Sequence, residues 1–472
     1  MNSYKPTIGI EIHIELKTNS KVFSPSKNSY NDSPNTNINE IDLAYPGVLP
    51  TVNEEVVKKA IKASLALNMS INKKMHFDRK NYFYPDLPKG YQITQNKTPI
   101  GYDGYVDIET EKGKKRIRIE RLHIEEDTAK SLHHNGKTLL NYNRCTVPLI
   151  EIVSKPDMTT KEEACKYAEK LREILFYTGV SDCKIEEGSM RCDVNVSVSK
   201  TDELGTRSEI KNIGSISQIK DAIEYEIKRQ TAILEDGEVL LEDTRKYNAE
   251  TGKTEFMRYK EPDNDYRYFK EPDIPYLYIQ DKDIEEIQKE LILLPDERRK
   301  IYLEKDISKI NIEKLIANKE LSDYLNMFLD NNIDFKIASN ILLEDITSYL
   351  NKTNKSIYDT TLTKDRFIEL TNAIKTDKIS SKIFKIILDD YLETNTLLDD
   401  LLKEKDLIQI SDKEEIRKLI KKVLLSNEES VKDYKNGKEN AYKYLMGMVM
   451  KESKGKVNPK ISNELLREEL NK

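Results

Sequence analysis

Glu11, His13 and Glu15 stand at two-residue spacing in the opening stretch "TIGIEIHIEL", interleaved with Ile8, Ile10, Ile12, Ile14 and Leu16. Such alternation predicts a β-strand whose isoleucines share one face and whose ionisable groups share the other. Same-face neighbours on a strand lie about 6.6–7 Å apart, so bare carboxylates there repel. Two kinds of cation relieve them. A lysine or arginine across the strands makes an ordinary wet face; a divalent metal ion makes one wall of a site. Further strand-like stretches supply Glu125, Asp193 and Glu209 to polar faces, and converging carboxylates are what a hard divalent cation takes. Mg2+ prefers oxygen, so His13 leaves three options open: Mn2+ in its place, contact through water, or contact with substrate.

"RLHIEEDTAKS" places His123, Glu125, Glu126 and Asp127 beside Arg121 and Lys130. Alone, this run reads as well as a solvated turn as it does as a site. "FDRKNYFYPDLPKGYQI" sets Arg79, Lys80 and Lys89 among Tyr82, Phe83, Tyr84 and Tyr91, with two prolines stiffening the loop. Cations among aromatics suit phosphate and base recognition; a buried aromatic loop with snorkelling lysines is the competing account. The "GKT" runs at Gly136–Thr138 and Gly252–Thr254 are not phosphate loops. Ser131 and Tyr247 stand where such a loop needs its other glycine. The sequence also has no G-x-G-x-x-G, H-E-x-x-H or G-x-S-x-G.

The elements that must hold these residues differ between the two halves of the chain. Thirteen of the 16 glycines precede Lys253, none falls between Lys253 and Asn436, and no proline lies between Pro295 and Pro459. Turns and strands therefore belong to the first half and long helices to the second. "MRCDVNVSVSK" repeats the opening design, with Met190, Cys192, Val194, Val196 and Val198 opposite Arg191, Asp193 and Asn195. "TRSEIKNIGS" sets Glu209 and Lys211 about Ile210. In "KKRIRIERLHIEED" the apolar phase runs through Ile117 and Ile119, then slips to Leu122 and Ile124, which predicts a β-bulge between Glu120 and Leu122. Strands with an apolar underside and a charged upper face predict an antiparallel sheet covered on one side. Later stretches such as "IEKLIANKELSDYLNMFLD" and "SSKIFKIILDDYLE" carry helical spacing. The boundaries expected are 1–292, 293–405 and 406–472.

With 38% hydrophobic and 34% charged residues, the 472-residue chain is globular rather than disordered. No apolar run approaches the ~20 residues of a membrane span, and Met1 leads into the first strand without a signal segment. A cytoplasmic protein with no membrane or DNA partner is expected. The four cysteines show no C-x-x-C spacing and suit a reducing compartment. The net charge of −6 is uneven: residues 406–472 carry +3 and the rest −9, so the tail tolerates RNA contact.

Beyond these single features, "GIEIHIEL", "DLAYPGVLPTVN", "RKNYFYPDLPKGYQITQ", "IERLHIEEDTAKS", "YNRCTVPLIEIVSKPDM", "EGSMRCDVNVSV", "EIKNIGSISQIKDAIEYEIKRQ", "FMRYKEPDNDYRYF" and, in the tail, "LMGMVMKESKGKVNP" follow one another in order. Together they resemble the B subunit of the bacterial glutamyl/aspartyl-tRNA amidotransferases, over nearly the whole chain. The resemblance implies an α+β cradle-shaped catalytic domain, similar in fold to glutamine synthetase, then a helical domain and a small tail domain gripping tRNA. It implies ATP-dependent phosphorylation of the side-chain carboxylate of Glu-tRNA(Gln) or Asp-tRNA(Asn). Ammonia from the A subunit, a glutaminase, then displaces the phosphate, and a small C subunit joins the two. Glu11, His13, Glu125, Asp193 and Glu209 become the catalytic and Mg2+ (or Mn2+) candidates. Lys80, Tyr82 and Lys89 become those for nucleotide or substrate charge. Glu126 competes with Glu125 for its assignment, and Glu15 is left as structural.

One departure concerns zinc. Many relatives carry C-x-C and C-x-x-C before the "YPG" segment; here Ser24, Ser26, Asn39 and Asp42 align there. A soft tetrahedral site needs thiolates, so no structural zinc is expected, and turns and local hydrogen bonds should hold the loop. A tRNA-binding scaffold with a dead kinase site is the alternative from another class. The archaeal-type subunit, with its extra inserted domain, does not fit in this length.

Overall fold

A computed structural model of the chain describes all residues except 1–3, 30–31, 260–265, 408–409, 411 and 454. The "KEPDND" portion of one family-like stretch and Lys454 of the tail stretch therefore lie outside the described residues. The chain forms two compact units, Met1–Pro295 and Asp296–Lys472.

The first unit is built on a nine-stranded sheet, whose strands we number along the chain. They are β1 (Lys5–Glu15), β2 (Ser70–Ile71), β3 (Gly101–Thr110), β4 (Gly113–Glu126), β5 (Pro148–Ser154), β6 (Met190–Ser199), β7 (Ser208–Ile213), β8 (Asp243–Asn248) and β9 (Lys253–Tyr259). Their order across the sheet is β9-β8-β7-β6-β1-β5-β4-β3-β2. The opening strand thus lies in the middle. Its isoleucines and those of β4 and β5 are nearly inaccessible, as are Met190, Cys192, Val194 and Val196 of β6. Helices α1 (Glu54–Ala66), α2 (Lys161–Thr178) and α3 (Ile216–Glu235) cover this underside and complete one apolar core. The helices carry their own end signals. Thr160 and Ser215 cap α2 and α3 by accepting from backbone N–H groups, and Gly179 closes α2 in the left-handed conformation at φ +72°.

All pairings are antiparallel but one: β7 and β8 run parallel, because α3 lies between them and a helical crossover returns the chain in the same direction. The expected slip in β4 is present. Val153 pairs with Arg121 but Ser154 pairs with Ile119, so Glu120 is left over. Alternation from Ile117 and Ile119 would otherwise send Arg121, His123 and Glu125 to the underside; the extra residue turns them to the upper face. A second irregularity in β7 lets Ile210 and Ile213 both pack below. Asn212, at φ +65°, absorbs the turn, and Lys211 stays above.

Over the upper face lies a three-stranded sheet of Asp78–Asn81, Tyr91–Thr94 and Phe269–Lys270, so this face is roofed in part rather than open. Its hairpin is pinned to the end of β4. Gln92 Nε2 donates to the Glu126 carbonyl, Ile93 N–H donates to the Glu126 carboxylate, and Gln95 Oε1 accepts from Ile124 N–H.

The four positions aligned with the missing cysteines form a polar knot. Ser24 and Ser26 donate to the two Asp42 oxygens at 2.7 and 2.6 Å, and the Asn39 N–H adds a bond at 3.1 Å. Lys21 Nζ lies 3.3 Å from Asp42, both side chains wholly buried. Burial pulls the Lys21 ammonium below its usual range, and Asp42 opposes that pull.

Among its described residues the second unit is built of helices, with one isolated bridge between Ile410 and Val457. Helices within 413–470 enclose an apolar cluster of their own, including Ile416, Ile420, Leu445, Val449 and Leu466. A mixed α/β unit with an antiparallel-dominant sheet, followed by helices, is the fold class that the periodicities predicted. Among the described residues no helix is long and apolar enough to cross a membrane.

Removing one partner of a buried ion pair costs about 3–5 kcal/mol because the other charge is stranded. Asp42→Ala is therefore expected to lower the unfolding free energy by that scale, read as a lower urea midpoint of the full chain. A midpoint equal to the parent's would show that the knot holds nothing.

Candidate active site

Five adjacent strands bring carboxylates together on the upper face: Glu209 on β7, Asp193 on β6, Glu11 on β1, Glu151 on β5 and Glu125 on β4. The register explains the meeting. Glu11 is opposite Asp193, Asn195 is opposite Glu209, His13 is opposite Glu151, and Glu151 is opposite His123. Between this wall and the small sheet lies a cavity of about 400 Å³ with a mainly polar lining.

The wall divides into two halves by its counter-charges. On the β4–β5 side, His123 Nε2 lies 2.9 Å from Glu151 and 3.6 Å from Glu125. His13 Nε2 lies 3.5 Å from Glu125 and 3.8 Å from Glu151. Burial raises the Glu151 carboxyl, but His123, His13 and Lys80 overcome this and hold it well below the usual carboxylate range. Glu125 is likewise raised by burial and brought below its usual value by the His123 hydrogen bond and the histidine charges. Burial disfavours the charged His123, yet Glu151 and Glu125 push its pKa up to about 9. One donor atom each from His13, Glu125 and Glu151 fall within 4.8 Å of one another. Octahedral ligands at about 2.1 Å from an ion sit roughly 3–4 Å apart, so this triad fits a divalent cation, with His123 orienting Glu151 from behind. Two carboxylate oxygens and one imidazole suit Mg2+ less well than Mn2+.

On the β6–β7 side the counter-charge is Lys211. Its Nζ lies 2.6 Å from Asp193 and 2.9 Å from Glu209, and these acids hold the ammonium far above its usual pKa despite burial. Glu11 lies between the halves. Asn195 donates to it at 2.9 Å, while burial and the neighbouring Glu151 and Glu209 raise its pKa.

Opposite the wall, Lys80 Nζ sits 4.7 Å from the Tyr266 ring centroid and 5.9 Å from that of Tyr82. Tyr82 stacks edge-on against Tyr84 and Tyr266. Glu11, His13, Lys80, Tyr82, Glu125 and Glu209 all line the cavity, whereas Asp193 meets it through Lys211. Lys89 does not face it: its ammonium is bound by the buried Glu126. That pairing also separates Glu126, which serves the hairpin, from Glu125, which serves the wall. Glu15 is buried beside a second cavity, where burial and Asp127 push its pKa up to about 8.

Sequence reasoning passed over Glu151 and gave His123 and Lys211 no role. Glu151 was within reach, since "PLIEIVS" sends Ile150 and Ile152 down and Glu151 up by the same alternation as the opening strand. The pairing of His123 with Glu151 depends on register across the sheet, which no single stretch carries.

Residues 6–285 match the GatB/GatE catalytic domain family, and residues 323–470 match the GatB domain family. The chain is 44% identical over 473 residues to the B subunit of an aspartyl/glutamyl-tRNA(Asn/Gln) amidotransferase from Lysinibacillus sphaericus, covering all of both chains. It is 46% identical to the same subunit from Geobacillus thermodenitrificans, again over all of both chains. With that from Macrococcus caseolyticus it shares 45% over 99% of each. Matches of this extent and order show that the chain belongs to the B-subunit family of the aspartyl/glutamyl-tRNA(Asn/Gln) amidotransferases.

Proposed function

We propose that the cavity activates the side-chain carboxylate of glutamate or aspartate carried on tRNA(Gln) or tRNA(Asn), using ATP, and then converts it to the amide. The observation that carries this reading is the meeting of a divalent-cation triad, two half-buried lysines and an aromatic cluster within one cavity. Phosphoryl transfer needs little covalent help from a protein; it needs positioning and neutralisation of charge. A carboxylate oxygen attacks the γ-phosphorus of ATP and ADP leaves, giving an acyl phosphate. Ammonia nitrogen then attacks the acyl carbon, phosphate leaves, and a proton passes from nitrogen to a nearby base.

The residues divide this work. His13, Glu125 and Glu151 would hold Mg2+ or Mn2+, which neutralises phosphate oxygens when bound. Lys80 in the roof and Lys211 on the wall place fixed positive charge on both sides of the cavity, and Tyr82 walls the cavity against water. Glu11, raised in pKa and facing the same space, is placed to accept the proton that ammonia loses. These residues form no nucleophile–base pair for glutamine hydrolysis, which fits ammonia arriving from a glutaminase partner, the A subunit, joined through the C subunit. The divisions 1–292, 293–405 and 406–472 would be the catalytic cradle, a helical connection and a tRNA grip. The +3 tail adds a modest electrostatic contribution to tRNA affinity. A protein acting in this way works in the cytoplasm.

Three measurements test the reading. Mn2+ is expected to raise the melting temperature of the parent chain, and Glu151→Gln to weaken Mn2+ binding by more than the roughly 10–100-fold that loss of an outer-shell partner costs. Unaltered Mn2+ affinity in that variant would remove the triad. In the complex with the A and C subunits, Glu125→Ala is expected to lower ATP-dependent amidation of mischarged tRNA by at least about a hundredfold, the scale of losing one preorganised electrostatic group. Amidation at the parent's rate would leave a scaffold with no catalytic wall. Deleting residues 406–472 is expected to weaken tRNA binding while ATP binding stays near the parent's; tRNA affinity equal to the parent's would move the tRNA grip elsewhere.

A further inference from the structure

The helix Glu439–Glu452 contains a glycine that nothing in the chain requires. Its underside is apolar: Leu445 and Val449 are wholly buried in the cluster within 413–470. Its outer face is an exposed stripe at helical spacing, made of Asn440, Lys443, Tyr444, Gly447 and Lys451. Gly437 and Gly455, outside the two ends of the helix, have φ of +88° and +78°, a conformation that favours glycine. Gly447 has no such reason. It sits inside the helix, and among the described residues nothing lies within 4 Å of where its Cβ would be. Alanine would fit there and would favour the helix, because glycine loses more backbone freedom on folding. A bare helix surface of this kind suits the close approach of something outside the chain.

The charges around Gly447 identify what approaches. Lys443 and Lys451 stand four residues to either side, about 6 Å each way along the helix axis. Other lysines of the region are neutralised: Lys422 by Glu452, Lys438 by Asp433 and Lys456 by Asp406. Among the described residues no carboxylate pairs with Lys443 or Lys451. Tyr444, half exposed, lies beside them on the same face. Two free cations flanking a gap without a side chain complement a polyanion whose backbone crosses the helix.

We propose that the sugar–phosphate backbone of the tRNA lies directly on this helix at Gly447, with Lys443 and Lys451 each pairing a phosphate and Tyr444 packing on a ribose between them. This rests on the reading above that the tail grips tRNA, and it names the surface and the mode of the grip. Contacts to phosphate and sugar position a nucleic acid without reading its sequence. One surface therefore serves tRNA(Gln) and tRNA(Asn) alike, and the choice between them is made elsewhere.

The test is binding of uncharged tRNA(Gln) and tRNA(Asn) to the complex with the A and C subunits. As full chains, Gly447→Ala and Gly447→Leu are expected to melt at or above the parent's temperature, since each residue is a better helix former. Gly447→Ala is expected to weaken binding of both tRNAs by about five- to thirtyfold, the scale of two lost Cα–H···O contacts, and Gly447→Leu by more. Lys443→Gln and Lys451→Gln should each reduce the slope of log affinity against log salt by about 0.7–0.9, the share of one phosphate. Parent affinity in Gly447→Leu, loss for one tRNA alone, or an unaltered salt slope in both lysine variants would each overturn the proposal. A lower melting temperature in Gly447→Ala would overturn it too, by giving the glycine a structural reason. So would loss of the A or C subunit from the Gly447→Ala complex, which would make this face a protein interface. If deleting residues 406–472 leaves tRNA affinity at the parent's, the tail reading itself falls. If the deletion weakens tRNA binding and Gly447→Leu does not, only this surface falls.

Discussion

Carboxylates on adjacent strands of one sheet face repel, and this sheet gathers them from five neighbours. Glu209, Asp193, Glu11, Glu151 and Glu125 stand in a row across β7, β6, β1, β5 and β4. Taken out of water without partners, such a row would protonate or unfold the sheet. What surrounds it answers that constraint. Lys211 bridges two members, His13 and His123 serve two more, Asn195 holds the fifth, and Lys80 approaches from the roof. Glu11 shows that compensation is incomplete, since its pKa is raised by burial and by acidic neighbours. A wall tuned in this way would accept added positive charge, as the metal-assisted phosphoryl transfer proposed above would bring.

The same constraint gives the irregularities of the sheet their purpose. Regular β4 alternation would bury Arg121, His123 and Glu125 among the isoleucines of the core, at a cost no neighbour there could offset. One surplus residue at Glu120 reverses the faces. The irregularity in β7 follows Lys211, which already points up by alternation from Ile210, and returns Ile213 to the core. In both strands an apolar pair is kept below while charge is kept above, so the core and the site are specified together. The underside makes this possible, because Ile8, Ile10, Ile12 and Ile14 pack against helices with almost no exposure and fix the register on which the wall depends.

Much of this was legible from periodicity. The opening strand, the β6 and β7 strands and the slip after Ile119 all announce themselves, because side-chain alternation is local. The division between a glycine-rich first half and a helical second half was equally open to reading, since turns and helices differ in composition over short spans. The site was legible in part. Glu11, His13, Glu125 and Glu209 do line one cavity with Lys80 and Tyr82, yet Glu151 was hidden in an apolar run, and Lys89 turned inward to Glu126. Both depend on register and on how the hairpin docks, which are relations between distant segments. The parallel β7–β8 pair escaped for the same reason: it follows from where α3 lands.

The polar knot at Asp42 shows how a loop keeps its shape when the chemistry of its ligands changes. A tetrahedral thiolate site gains stability from metal binding itself. Here two hydroxyls, a backbone N–H and a buried lysine converge on one carboxylate instead. An aspartate is suited to this because its two oxygens offer about four acceptor positions, enough to accept from Ser24, Ser26 and Asn39 while Lys21 Nζ lies 3.3 Å away as its ion-pair partner. The arrangement sets a lysine against a carboxylate, as Lys211 is set against Asp193 and Glu209. In both places the ammonium is covalently part of the fold, so the cation that the carboxylates need cannot be lost to a chelator or to dilution. It carries half the charge of a divalent ion and a fixed tether. Lysine is therefore sufficient where the task is to hold carboxylates together, while the His13–Glu125–Glu151 half is the one proposed above to take an ion.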